Sequence, residues 1–170
     1  MFRNVFRASM LDIDFYRRAE EDAGLTLQSA VVVLVATGLG GIGSAIARES
    51  SVVAAVFGGM VAGVVGWLVW ALLSYVVGTK IFSGTADYAE MLRVLGFAFA
   101  PFAIGIVPWL GFPAAVWVLF ASLVAVREGL DLDLGRTLAT VAIGWLVWLG
   151  STVLLNVILD IELNAHWPFP

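Results

Sequence analysis

The chain has no cysteine, a single histidine and only 13% charged residues among its 170. Without cysteine there can be no disulfide, thiol nucleophile or thiolate metal site. The one histidine, His166, lies in the terminal tail, so no imidazole accompanies Ser44, Ser74 or Ser122 as a base for nucleophilic catalysis. A metal site would need converging His, Asp or Glu ligands, and that set is missing for the same reason. The glycines from Gly38 to Gly43 lack the Lys-Ser/Thr that gives a phosphate-cradling loop its charge. A net charge of −4 argues against nucleic acid as a partner. Together these gaps leave little room for enzyme chemistry, and neither a cofactor nor a metal is expected.

What the chain does have is apolar surface. Hydrophobic residues make up 61% of it, against about 45–50% in an average globular domain. Uncharged runs such as Ser51 to Thr79 and Thr137 to Leu159 exceed the roughly 20 residues needed to cross a hydrocarbon core of about 30 Å. A transmembrane barrel would need segments of about ten residues with alternating polarity, and nothing here alternates. The fold class is therefore all-α, a polytopic integral membrane protein. Charges stud residues 1–26 where a cleavable signal would be apolar, so the first span is expected to be an uncleaved anchor.

Residues 82–113 are the stretch around which the chain is organised, a polar run, a charged helix start, Pro101 within an apolar helix, and a reversal at 108–113. Five spans are expected, near residues 27–47, 52–77, 88–107, 113–130 and 137–159, with a short Pro-rich hairpin between the third and fourth. The divisions are a cytoplasmic amphipathic segment (1–26), a membrane domain (27–163) and a short tail (164–170).

In the N-terminal segment Phe2, Val5, Phe6 and Ser9 recur at helical spacing beside Arg3 and Arg7. That pattern suits an interfacial helix, with a solvated tail as the plainer alternative. Asp14 is a candidate N-cap for a second short helix, with Gly24 as its stop.

In the second span Ala55, Gly59 and Gly63 fall on one face, the small-residue pattern that lets helices approach closely. Packing within the chain is preferred over a dimer interface. Gly-Trp-Leu-Val-Trp occurs at 66–70 and at 144–148, but the flanks do not match, so biased composition explains it better than a repeat. The mid-span tryptophans Trp67, Trp70, Trp145 and Trp148 are expected to pack between helices.

Asp87 and Glu90 have capping-box spacing. From Val94 to Val107 there are 14 residues, about 21 Å of α-helix, and the return arm from Pro113 to Val126 is equally short. Two geometries stay open: a tight pair of full spans, which is preferred, or a re-entrant hairpin whose tip, with Pro108 and Trp109, stops inside the membrane. The charged ends Glu90, Arg93, Arg127 and Glu128 return to one face and are expected to form an ion-paired collar, with Arg93 opposite Glu128. With five spans, eight of the nine basic residues fall on the side of the N-terminus and only Arg48 on the other. The positive-inside rule then puts the N-terminus in the cytoplasm and the C-terminus opposite, in a plasma membrane or a prokaryotic inner membrane.

Gly84, Tyr88, Arg93-Val94-Leu95-Gly96-Phe97-Ala98, Pro101 and Pro108 resemble the Yip (Ypt-interacting protein) domain family, and Phe15 to Asp22 looks like the pre-membrane helix of its short prokaryotic-type members. The resemblance implies five membrane helices and, in eukaryotic relatives, Rab-GTPase partners and vesicle trafficking. Those relatives carry a long cytoplasmic N-terminal region, whereas here about 26 residues precede the first span, so Rab binding is not carried over. The helix-packing residues to which these readings assign an interaction role are Ala55, Gly59, Gly63, Gly96, Pro101, Pro108 and Trp109. The functional expectation is a non-enzymatic scaffold or accessory subunit of a membrane assembly, or a role in membrane organisation. Its partners would be the lipid bilayer and other membrane subunits or further copies of itself. A small transporter using the Gly/Pro-interrupted helices is the alternative.

Overall fold

A computed structural model describes residues 1–144 and Leu146. The helices are α1 (Phe2–Ser9), α2 (Ile13–Glu21), α3 (Thr26–Arg48), α4 (Val52–Lys80), α5 (Tyr88–Ala98), α6 (Gly111–Gly129) and α7 (Leu134–Gly144). A 3-10 segment, Ala100–Ile106, links α5 to the turn before α6. Four stretches are long and apolar enough to cross a membrane: Ala23–Arg48, Val52–Lys80, Tyr88–Ile106 and Gly111–Gly129. The expected fifth span begins within α7, and from Trp145 onward, Leu146 apart, it lies outside the described residues, as do Trp148, Asn156 and the tail.

Local chemistry sets the helix boundaries. Leu11 takes a positive φ of 59° and Asp12 N–H bonds back to the Arg7 carbonyl at 3.1 Å, the wrapped bond of a Schellman end. That turn leaves Asp12 extended, and its side chain accepts from Phe15 N–H at 3.1 Å. The cap of α2 is therefore Asp12 rather than Asp14, because the preceding turn delivers the chain two residues earlier. Ser51 caps α4. Asp87 and Glu90 form the expected reciprocal box at the start of α5, at 2.7 and 2.6 Å.

Pro101 does not sit inside an α-helix as expected. Proline has no N–H to donate four residues back, and α5 stops at Ala98 before tightening into the 3-10 segment. The tightening lengthens the arm. Seven residues rising about 2.0 Å each, instead of about 1.5 Å, add roughly 3.5 Å. Tyr88 to Ile106 then spans about 30 Å, the thickness of a hydrocarbon core. The arm reverses through Val107-Pro108-Trp109-Leu110, closed by Leu110 N–H to the Val107 carbonyl at 3.1 Å. Trp109 holds a φ of 74° there, where a type II turn would favour glycine. α6 resumes at Gly111, two residues before the expected Pro113.

Helix α5 is the axis of the bundle. Met91, Val94, Leu95, Phe97 and Ala98 are fully buried. They form one core with Phe15, Tyr16 and Ala19 of α2, Val32 and Val33 of α3, Trp67 and Ala71 of α4, and Ala121, Ala125 and Val126 of α6. Trp67 packs inside and donates its indole N–H to the Leu92 carbonyl at 2.9 Å. Trp70 is partly buried against the same core. A smaller cluster of Ala36, Phe102, Ala114, Ala115 and Val118 surrounds the 3-10 segment.

No described glycine has a positive φ, although five other residues do. Two positions show what the glycines do instead. A methyl group on Gly43 would overlap the carbonyl oxygen of Gly105, and one on Gly41 would overlap the carbonyl of Ala55. The glycine-rich end of α3 thus receives the 3-10 segment on one side and α4 on the other, backbone against backbone.

Candidate functional site: the polar base of the hairpin

The only charged side chains buried among the described residues are Arg93 and Glu128. Both sit where the α5/α6 hairpin meets the N-terminal helices. The docking of α2 begins with apolar contact, as Phe15 meets the Phe97 ring edge-on with centroids 4.9 Å apart. Tyr16 is sealed inside and donates its hydroxyl proton to the Ala8 carbonyl at 3.2 Å, which joins α1 to α2. Burial raises the Tyr16 phenol well above its ordinary value, so it stays protonated. Trp117 of α6 donates to the Ser9 carbonyl at 2.7 Å and ties α1 to the hairpin.

Arg93 then closes the end of α2. Its Nε donates to the carbonyls of Ala19 at 3.2 Å and Glu20 at 3.1 Å, and its terminal nitrogen also bonds the Glu20 carbonyl. The last carbonyls of a helix have no partner within it and carry the negative end of its dipole. A buried guanidinium with several donors in one plane satisfies both demands at once.

Glu128 is buried and accepts from Arg17 of α2 at 2.8 Å, with Arg127 at 3.7 Å. Glu90 is turned to the Asp87 backbone. The four residues of the expected collar therefore take a different arrangement. Arg127 and Glu128 adjoin, but Arg93 faces backbone carbonyls and the near partner of Glu128 is Arg17. The sequence marks Arg17 only by its place in the Phe15–Asp22 motif.

The helix-packing residues divide by place. Ala55, Gly59 and Gly63 meet α3, with Gly59 over the Thr37 carbonyl and Gly63 over the Thr37 side chain. Gly96 sits against Ser29 at the foot of α3. Pro101 is fully buried, Pro108 lies in the turn, and Trp109 is 77% exposed at its tip.

Glu20 is the unusual titrating group at this base. Partial burial pushes its carboxyl up to about 7, aided by the negative charges of Asp131, Glu90 and Glu21 and opposed by Arg93. The folded state therefore holds the proton more tightly than the unfolded chain, whose ordinary value is 4.5. The resulting stabilisation is complete below that ordinary value and is lost as pH rises through about 7. Glu20→Gln should flatten the fall in melting temperature across this window and should match the parent protein at its acidic end. Superimposable pH profiles for the two proteins would assign that slope to another group.

These features define an all-helical membrane protein whose N-terminal helices are locked to the base of a central hairpin. The family model of the Yip1 domain matches residues 13–155, which covers α2, the whole hairpin and α7. The chain belongs to the Yip1 domain family. Among curated proteins nothing matches the chain, and among solved structures nothing does either.

Proposed function

We propose that this protein is a non-enzymatic scaffold or accessory subunit of a larger membrane assembly. In this reading five helices span the bilayer, the N-terminus is cytoplasmic and the C-terminus opposite. Both arms of the hairpin cross fully, the 3-10 segment supplying the missing length. The observation that carries the proposal is the packing of the glycines of α3 against the helix break at Pro101. A transporter of this size would use Gly- or Pro-interrupted helices to build a substrate site. Here α3 runs unbroken through Gly38–Gly43, and its glycines fill the space beside the break at Pro101, with Gly43 against the Gly105 carbonyl and Gly40 beside Gly105.

Two buried hydroxyls within the first span are satisfied by their own helix, while the buried Trp70 indole N–H of α4 has no hydrogen-bond partner among the described residues. Thr37 bonds the Val33 carbonyl at 2.7 Å and Ser29 bonds the Thr26 carbonyl at 2.8 Å. Outward-facing surface is what remains for function. In the most apolar stretch of α4 only 6% of residues are buried, against 44% or more in the three other candidate spans. Its Ala54, Gly58 and Ala62 are exposed at four-residue spacing, a face against which another helix can pack.

Extraction from the native membrane in a mild detergent, followed by mass determination, tests this. Co-purification with stoichiometric membrane subunits, or a stable self-assembly, is the expected result. A lone monomer under every mild condition would sink the proposal. Selective ion or solute flux in proteoliposomes would replace it with the transporter reading.

A further inference from the structure

We infer that the cleft between the N-terminal helices and the foot of α3 binds the headgroup phosphate of an anionic phospholipid, with α1 lying in the same leaflet. Helix α1 turns Ala8 inward, fully buried, and packs Val5 against the core. The opposite face carries Phe2, Phe6 and Met10, one turn apart and 92%, 64% and 55% exposed. Three large apolar side chains on so short a helix call for cover, and acyl chains supply it when a helix lies in the interface.

Beside that face is a cleft of about 360 Å³. Arg3 and Arg7 of α1 and Arg18 of α2 line it together with Phe15, Leu25 and the carboxylates Glu21 and Asp22. Not all of this charge is available. Arg7 is paired with Asp12 at 2.5 Å, and its guanidinium carbon is 5.9 Å from the centre of the Phe15 ring. Arg18 donates one N–H to the Asp14 carbonyl at 3.1 Å, and Asp22 accepts from Gly24 N–H at 2.9 Å. Arg3 pairs with no described residue. Arg3 and Arg18 form no ion pair among the described residues, and they converge on a cleft large enough for a small polar group.

Position selects the ligand. Asn4 donates to Gln28 of α3 at 3.2 Å, which holds α1 level with the first turn of the first span. A cleft at that level opens into the phosphate layer, while Phe2, Phe6 and Met10 reach the acyl boundary. A free anion would account for the arginines but not for the apolar face. A zwitterionic lipid would account for the face but would bring its own cation to the cleft. An anionic phospholipid uses both, with guanidinium–phosphate hydrogen bonds at the head.

The test titrates the full-length protein in uncharged detergent with short-chain phosphatidylglycerol, phosphatidylcholine or inorganic phosphate, and reads bound adducts by native mass spectrometry. Phosphatidylglycerol should be retained about tenfold more tightly than phosphatidylcholine, as expected for basic side chains facing an anionic lipid. Arg3→Gln/Arg18→Gln should abolish that preference, and Arg136→Gln, away from the cleft, should keep it. Phe2→Ser/Phe6→Ser should weaken both lipids alike. Equal retention of the two lipids, or a preference that survives Arg3→Gln/Arg18→Gln, would overturn the inference. So would inorganic phosphate displacing phosphatidylglycerol at equal concentration. Circular dichroism checks the fold of each variant, and Arg3→Gln alone, which alters one exposed side chain, gives an independent reading.

Discussion

Replacing Gly43 with alanine is expected to destabilise the bundle by about 3 kcal/mol, the upper end for forcing extra volume into a packed interior. The added methyl would fall on the carbonyl oxygen of Gly105, backbone that cannot rotate away as a side chain would. Relief requires the 3-10 segment to move off α3, which opens the cluster of Ala36, Phe102, Ala114, Ala115 and Val118. Gly58→Ala is the matched control, because a methyl there meets nothing within 4 Å. It should be neutral or stabilising by up to about 1 kcal/mol from helix propensity. Denaturant titration of both variants in mild detergent, followed by circular dichroism, separates the cases. Equal midpoints for the two would refute the proposed backbone contact.

Arg93→Gln is expected to release α2 from the hairpin at a loss of about 3 kcal/mol, the scale of hydrogen bonds made by a buried charge. The variant takes the guanidinium donors from the carbonyls of Ala19, which is buried, and Glu20, which is partly buried. Arg93→Lys should recover only part of the loss, since an ammonium cannot address two adjacent carbonyls in one plane. Amide hydrogen exchange locates the effect, with protection falling across residues 13–21 first and the α3/α4 contact retained. Unchanged exchange in α2 would show that the apolar contacts of Phe15 and Tyr16 hold it unaided.

The features legible in the sequence were those whose cause is local. Charge-free length marked α3 and α4, the spacing of Asp87 and Glu90 marked the start of α5, and four-residue spacing marked the Ala55–Gly59–Gly63 face. Pro101 announced a disruption but not its form, because the choice between a kinked α-helix and a 3-10 segment rests on the backbone of α3 alongside. The candidate site was half visible. Arg93 and Glu128 stood out as charges at span ends, and pairing them with each other followed from proximity along the hairpin. Their actual partners come from α2, and the contact between Arg17 and Glu128 joins positions 111 residues apart. No periodicity encodes such a pairing. Backbone carbonyls leave still less trace, since every residue has one.

The lock at Arg93 also bears on the order of assembly. Helix α2 leaves the ribosome before α5, yet the Arg93 side chain that closes its end arrives 73 and 74 residues later, and Glu128 later still. Until then α2 lacks the donor that closes its end and the carboxylate that pairs its Arg17. Helix α2 is thus made before the hairpin that holds it, and its full seating depends on that hairpin being in place. Because Arg93 reads main-chain oxygens, a side-chain change at the partly exposed position 20 that spares the helix would leave these bonds in place.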